Sequence, residues 1–173
     1  MPALTGPALA VAALLALAGA QKVLDPTMTV GALRALRLPS SPVMVRVGAV
    51  AELAVGVLAI GVGGVVVWTL VAASYLAFAV FVVTALRRGT MLGSCGCFGR
   101  EDTPPHWSHV GLNLLLAGVA ATLAAQGDGA PLDAVLDHAG QGLLVSGIAG
   151  LAVYLLYALY VELPRTLAAS RSH

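Results

Sequence analysis

The sequence is poor in charge, since Asp, Glu, Lys and Arg together make up only 10% of its 173 residues. Soluble globular chains carry about 25% charged residues. Here 59% of the residues are hydrophobic and the mean hydropathy is +0.93, so there is too little polar side-chain surface to cover a water-soluble globule. The composition excludes a cytosolic enzyme, a secreted disulfide-rich domain and a disordered tail, and it predicts an integral membrane protein.

Basic residues and cysteines are also scarce. Nine Lys and Arg residues nearly balance eight acidic ones, for a net charge of +1, so the chain offers no basic stripe to a nucleic-acid partner. Two cysteines can form only one disulfide within the chain, which is too few to stabilise a fold of this size. We therefore interpret the cysteines as residues that matter for chemistry.

Long apolar runs are what the sequence does contain. A helix needs roughly 20 apolar residues to cross a bilayer, and five stretches qualify: about 7–24, 43–61, 65–86, 107–125 and 142–161. We predict an all-α polytopic membrane helix bundle forming one domain, residues 1–173, with a four-helix core and a fifth, C-terminal helix at its periphery. The VGG sequence at residues 62–64 predicts a tight antiparallel hairpin of the second and third spans. Small residues in the first, second and fourth spans favour close helix contacts.

The end of the first span and the segment that follows it carry further predictions. LALAGAQ is similar to the end of a signal peptide, but no Lys or Arg precedes it, so we predict a permanent first span. After this span, apolar residues recur at near-helical spacing while arginines share another face. The apolar set is Val30, Leu33, Leu36 and Leu38, and the basic set is Arg34 and Arg37. This pattern predicts a short helix lying at the surface of the lipid bilayer.

The basic residues also predict a topology. With five alternating spans, all nine Lys and Arg residues lie on the side that holds the first loop, the third loop and the C-terminus. The positive-inside rule makes that side cytoplasmic. We predict a multi-pass protein of the bacterial plasma membrane, and the charge rule taken alone favours a cytoplasmic third loop.

The third loop contains the motif SCGCFG, residues 94–99, which holds both cysteines of the chain. Neighbouring arginines favour the reactive thiolate, and a disulfide between such close residues is strained and therefore labile. We interpret Cys95 and Cys97 as a redox pair, with Gly96, Phe98 and Gly99 as supporting residues. The alternative is that they are two incidental small residues in a glycine-rich loop.

A metal site is a second interpretation of this loop. His106 and His109 follow it one helical turn apart, and thiolate and imidazole ligands suit zinc or copper. The alternative ligand set is therefore Cys95, Cys97, His106 and His109, although its spacing is unusual for a structural site and we favour no metal. A carrier for mercury or copper would need further thiols or methionines along its path, and the four methionines lie near ends or in loops.

Glu52 lies two turns inside the second span, where an ionisable side chain is costly and marks a functional candidate. Its partner would be Lys22, at the end of the first span, or Arg46, at the start of the second. A Glu52–Lys22 pair would either fix the bundle or handle protons during thiol oxidation. Asn113, one turn beyond His109, is a further candidate for this network.

Aromatic residues amount to only 5% of the chain, yet four of them share the third span: Trp68, Tyr75, Phe78 and Phe81. A quinone site would need such rings near the cysteines, which makes a quinone a candidate cofactor. Their spacing is not specific to one.

Several segments resemble the MauE/DoxX group of redox-associated membrane proteins. They are GAQKVLDP at residues 19–26, AEL followed by VGVLA in the second span, and SCGCFG at residues 94–99. With Asn113, which also fits, they cover roughly residues 8–125. The resemblance implies a polytopic bundle that supports maturation of a disulfide-containing client together with a thioredoxin-fold partner. It implies Cys95 and Cys97 as the redox pair, while Lys22, Glu52 and Asn113 match family positions without a settled role.

The resemblance and the charge pattern disagree on where the cysteine loop lies. Oxidative maturation takes place outside the cytoplasm, whereas the positive-inside rule places the loop inside. The leading hypothesis is a membrane thiol–disulfide oxidoreductase or electron relay, working either as an oxidant outside or as an importer of reductant. The alternatives are a soft-metal (mercury, copper or zinc) binding or transfer protein and a non-catalytic assembly subunit.

Overall fold

The structure, a computed structural model, describes residues 4–88 and 105–170. In these ranges it contains seven helices: α1 (Thr5–Leu24), α2 (Thr27–Ala35), α3 (Pro42–Gly61), α4 (Gly64–Arg87), α5 (Trp107–Gln126), α6 (Pro131–Asp137) and α7 (Ala139–Ser170). Four of them, α1, α3, α4 and α5, and the Gly140–Leu159 part of α7 are long and apolar enough to cross a membrane. The predicted all-helical polytopic bundle is confirmed, and each of the first four spans lies within two residues of its predicted bounds.

Local signals explain several helix ends. The Ser41 side chain accepts a hydrogen bond from the backbone N–H of Met44, and Pro42 follows it in the first helical turn, where a missing N–H costs nothing. At the other end of the bundle, Gly127 adopts a left-handed conformation with a φ of 68° and ends α5. These caps fix where α3 begins and where α5 ends.

Helices α1 and α3 approach closely because each presents a glycine to the other. A Cβ on Gly19 of α1 would lie 2.5 Å from the backbone nitrogen of Leu53, and one on Gly56 of α3 would lie 2.7 Å from the backbone nitrogen of Ala16. A side chain at either position would keep the two backbones from coming this near. The predicted close contacts of small residues are thus realised between the first and second spans.

Helices α3 and α4 are joined by the predicted tight turn but contact each other sparingly. The extensive contacts run instead between α1 and α3 and between α4 and α5. The close hairpin that we predicted does not form along its length, because the glycine face of α3 is turned toward α1. The four-helix core therefore consists of two closely packed pairs.

The core lies around α1, and half of the membrane-spanning window of this helix is buried. Its leucines Leu14 and Leu15 pack in one cluster with Trp68 and Val71 of α4 and with Leu123 of α5. Helix α7 contacts chiefly α1, and only 11% of its membrane-spanning window is buried. This agrees with the predicted peripheral position of the fifth helix.

Helix α2 is the short helix predicted after the first span. Val30 and Leu36 are buried, whereas Arg34 and Arg37 are exposed, as the amphipathic pattern requires. Leu38 differs from the prediction, since it lies beyond the helix end and is exposed. Helix α6 was not predicted, because its seven residues lie in a segment rich in Gly and Asp.

Candidate functional site

The centre of the candidate site is an ion pair between α1 and α3. Nζ of Lys22 donates to Oε2 of Glu52 at 2.7 Å, and the exposed fractions of the two side chains are 5% and 20%. Of the two predicted partners of Glu52, the structure selects Lys22. Arg46 is exposed, and its six-residue separation from Glu52 puts it on another face of α3.

The two glycines of the α1–α3 contact explain why Lys22 reaches Glu52. Gly19 precedes Lys22 by three residues and Gly56 follows Glu52 by four, so each glycine shares a helix face with one partner of the ion pair. When the glycines bring the two backbones together, Lys22 and Glu52 meet across the same interface. This spacing is the sequence signal that could have chosen Lys22 over Arg46.

Aromatic side chains of α4 complete the surroundings of the ion pair. Nζ of Lys22 lies 4.2 Å from the centre of the Phe78 ring, a cation–π contact. Phe78 meets Tyr75 edge to face, with ring centres 6.1 Å apart, and the Tyr75 hydroxyl donates to the carbonyl oxygen of Val11 at 2.8 Å. The ammonium is thus held between a carboxylate and an aromatic face.

A cavity of about 290 Å³ adjoins the ion pair. Four helices line it: Lys22 from α1, Thr29 and Leu33 from α2, Met44, Val45, Gly48, Ala49 and Glu52 from α3, and Ala77, Phe78 and Phe81 from α4. Apart from Lys22, Glu52 and Thr29 the lining side chains are apolar. Met44, Gly48 and Ala77 are exposed, so the cavity opens between α3 and α4, where these helices contact each other sparingly.

The sequence did not indicate the contributions of α2 and of Met44 to this cavity. Thr29 and Leu33 line it because α2 folds back over the end of the bundle, and nothing in their local pattern reports that position. Phe78 and Phe81 were noted only as aromatic residues of the third span. The contact of Phe78 with a cation 56 residues earlier depends on tertiary structure alone.

The two predicted histidines form the N-terminal cap of α5. The backbone N–H of His106 donates to Nδ1 of His109 at 3.1 Å, and the backbone N–H of Ser108 donates to Nδ1 of His106 at 3.2 Å. His109 is fully buried. Because its Nδ1 accepts a hydrogen bond, a neutral His109 carries its proton on Nε2. The histidines therefore have a structural task at the point where the cysteine segment joins α5.

Asn113 is buried as well, but it does not bond to the ion pair in the described part of the chain. Its Nδ2 donates to the carbonyl oxygen of His109 at 2.8 Å, within α5. Asn113 therefore bonds to the backbone of its own helix, and its membership of a network with Lys22 and Glu52 stays a prediction.

The predicted redox pair, Cys95 and Cys97, and its supporting residues Gly96, Phe98 and Gly99 lie outside the described residues. So does the thiol half of the alternative metal site. Within residues 4–88 and 105–170, no group of three His, Cys, Asp or Glu side chains is arranged to hold a metal ion. The described site consists of the ion pair, its aromatic neighbours and the cavity.

Comparison with known families gives one match. The family model of methylamine utilisation protein MauE matches residues 2–126, well over half of the chain. The chain belongs to the MauE family. No curated protein and no solved structure matches it.

The MauE match ends at Gln126, the last residue of α5. It takes in the four core spans, α2, the Lys22–Glu52 pair, the cavity and the SCGCFG motif, while α6 and α7 lie beyond it. The chain is thus a multi-pass membrane protein whose MauE part is the four-helix core with its candidate site. The peripheral position of α7 agrees with this boundary.

Proposed function

We propose that the chain is a membrane thiol–disulfide oxidoreductase, or electron relay, in which Cys95 and Cys97 exchange disulfides with a thioredoxin-fold partner. Through that partner it would support the maturation of a disulfide-containing client. The observation that carries the proposal is the cysteine pair itself: the only two cysteines of the chain lie one residue apart, between glycines, inside the MauE-matched region.

The described ends of the cysteine segment support this role. The segment joins α4 to α5, the two helices with the most extensive mutual contact, so both of its ends lie on helices that pack together. Arg87 and Arg88 lie at its α4 end and favour a thiolate through their charge. The capped start of α5, with His106 and His109, lies at its other end. The two described ends of the segment therefore lie on helices that pack against each other.

The chemistry is two-step thiol–disulfide exchange. One thiolate of the reduced pair attacks a sulfur of the partner's disulfide, forms a mixed disulfide and releases one partner thiolate. The second cysteine then attacks the mixed disulfide, which forms the Cys95–Cys97 bond and releases the second partner thiolate. Two electrons pass from the chain to the partner, and the reverse sequence returns them. The difference in reduction potential between the two pairs sets the direction.

Trapping the mixed disulfide tests this proposal. In Cys95→Ser or Cys97→Ser the resolving thiol is missing, so we expect one of the two variants to accumulate a covalent adduct with a thioredoxin-fold protein in intact cells. The adduct should be visible on non-reducing gels, disappear on reduction and be identifiable by mass spectrometry. The double variant is the matched control and should give none.

Three outcomes would contradict the proposal. Absence of an adduct from both single variants would remove its main support. A metal ion bound stoichiometrically by the purified chain and lost in each single variant would favour soft-metal transfer instead. Unchanged client maturation in the double variant would indicate a non-catalytic assembly subunit.

The membrane face of the cysteine segment decides the direction in which the relay works. A membrane-impermeant maleimide can report it, because the chain has no other cysteines. Labelling of intact bacterial cells only after reduction would place an oxidised pair outside the plasma membrane and support an oxidising relay. Labelling only after permeabilisation would place it in the cytoplasm and support import of reductant.

A further inference from the structure

The cavity beside Lys22 and Glu52 has features that an ion pair serving only to join two helices would not need. Its opening lies between α3 and α4, where the lining residues Met44, Gly48 and Ala77 are exposed. A molecule dissolved in the bilayer can therefore reach the ion pair from the side. The polar groups lie at the inner wall and the apolar groups at the entrance.

The charge of the site restricts its ligand to a neutral molecule. Lys22 and Glu52 neutralise each other, so an added phosphate, carboxylate or ammonium would leave an unbalanced charge within a membrane, which is unfavourable. The Lys22 ammonium has three N–H donors, and Oε2 of Glu52 accepts one of them. What remains suits an uncharged acceptor such as a carbonyl oxygen.

The shape of the site adds two further requirements. Phe78 and Phe81 line the same cavity, and aromatic faces favour a planar ring. The lateral opening between α3 and α4 leaves space for an apolar tail to extend into the lipid. A carbonyl group, a planar ring and an apolar tail together describe a membrane quinone.

We infer that this cavity binds a lipid-soluble quinone, with one carbonyl oxygen accepting a hydrogen bond from Lys22 and the ring against Phe78 and Phe81. The use of the ligand rests on the proposed function. Oxidation of the two thiols of Cys95 and Cys97 forms one S–S bond and releases two electrons and two protons. A quinone takes up two electrons and two protons, and its two carbonyl groups become hydroxyls. Glu52, a carboxylate in the ion pair, would take up one of the two thiol protons and pass it to the carbonyl that Lys22 holds.

Two glycines on different helices provide a matched test of binding. Gly48 lines the cavity, whereas Gly118 is exposed on α5 away from it, and a Cβ at either position would meet nothing within 4 Å. Gly48→Leu fills the cavity without a backbone clash, and Gly118→Leu adds the same side chain elsewhere. The full chain in nanodiscs of quinone-free phosphatidylcholine should bind decylubiquinone about tenfold more weakly as Gly48→Leu, a loss of about 1.4 kcal/mol. Gly118→Leu should bind like the unaltered chain.

The hydrogen bond from Lys22 has its own spectroscopic signature. The stretching band of the bound carbonyl should lie at a lower frequency than that of decylubiquinone in lipid alone, as seen by infrared difference spectroscopy. In Lys22→Met/Glu52→Met, which keeps the site neutral and offers the carbonyl no N–H donor, that shift should be absent. Equal binding by Gly48→Leu and Gly118→Leu would overturn the inference. So would equally tight binding of a decyl-substituted benzene, which lacks carbonyls.

A cysteine variant separates failure of the inference from failure of the proposed function. Cys95→Ser/Cys97→Ser should still bind decylubiquinone with unchanged affinity but should no longer reduce it. Binding without reduction by the chain with both cysteines reduced would count against the proposed relay and leave the binding site standing. Absence of binding by that chain would overturn the site and leave disulfide exchange to be judged by adduct trapping.

Discussion

The two ends of the helix bundle are built in different ways. At the turn end, defined by residues 62–64 and 127–129, backbone groups hold the chain together. Gly63 and Gly129 form a β-bridge, and the carbonyl oxygen of Asp128 accepts from the backbone N–H of Gly64 at 2.8 Å and from Nε1 of Trp68 at 3.1 Å. At the site end, which holds α2 and the start of α3, the main polar contact is the Lys22–Glu52 ion pair.

The two ends also differ in the size of the cavity that each contains. The turn end has a cavity of about 80 Å³ beside Asp128, and the site end has one of about 290 Å³ beside Glu52. Backbone hydrogen bonds fix the distance between two turns and leave little space. A pair of long charged side chains can span a wider gap and keep donors and acceptors available to a ligand. Backbone hydrogen bonds therefore close one end of this bundle, whereas the other end leaves space for a ligand beside charged side chains.

The largest expected effect is at the site end. Lys22→Met leaves the Glu52 carboxylate without its cation in mostly apolar surroundings, and breaking a buried pair in this way costs about 3 to 5 kcal/mol. The free energy of unfolding in mixed detergent micelles should fall by that amount. Lys22→Met/Glu52→Gln removes both charges and should recover most of the loss. If the single and double variants were equally unstable, the two charges would not depend on each other.

The turn end should respond to a single methyl group. Gly63 has a φ of 64°, and a Cβ there would lie 2.2 Å from the carbonyl oxygen of Gly129, so Gly63→Ala should cost about 2 to 3 kcal/mol of unfolding free energy. Gly64 has a φ of 85°, and a Cβ added to it would have no neighbouring atom within 4 Å. Gly64→Ala should therefore cost only the conformational strain, about 1 kcal/mol. Equal losses would show that contact with Gly129 does not hold this end together.

The same pair of variants tests whether the two ends are independent. Neither Gly63→Ala nor Gly64→Ala touches the cavity beside Glu52, so decylubiquinone binding by the folded protein should be unchanged in both. A weaker affinity in Gly63→Ala alone would mean that the bridge to Gly129 also sets the spacing of α3 and α4 at the site end.

The pattern of long apolar runs was enough to predict the five spans, because a bilayer demands long apolar helices whatever their partners are. It was not enough to predict which spans form close pairs. The turn at residues 62–64 suggested that α3 and α4 belong together, but Gly19 and Gly56 give α3 a closer contact with α1. Chain connectivity is a local property, whereas helix pairing depends on which faces fit.

The candidate site was predictable only in part for the same reason. An acidic residue within a span requires a partner, so Glu52 was found from sequence and Lys22 was one of two choices for it. The cavity was not predicted, because it is bounded by four helices and needs α2 to lie over α3 and α4. No residue of α2 carries a local pattern that reports this placement.

The smallest expected effect concerns the link that holds α2 at the site end. Nη1 of Arg88 donates to the carbonyl oxygen of Leu36 at 2.7 Å and so ties the end of α4 to the end of α2. Loss of this partly exposed hydrogen bond in Arg88→Gln should cost about 0.5 kcal/mol. We expect the backbone amides of α2 to exchange hydrogen about twofold faster, while those around Gly63 keep their rate.

The neighbouring arginine supplies the control for that measurement. Arg87→Gln removes the same charge beside the cysteine segment, but Arg87 makes no such bond to α2 in the described part of the chain. Exchange in α2 should therefore stay unchanged in Arg87→Gln. If both variants accelerated it equally, the charge near the cysteine segment would hold α2 in place, and the site end would depend on long-range electrostatics where the turn end depends on direct hydrogen bonds.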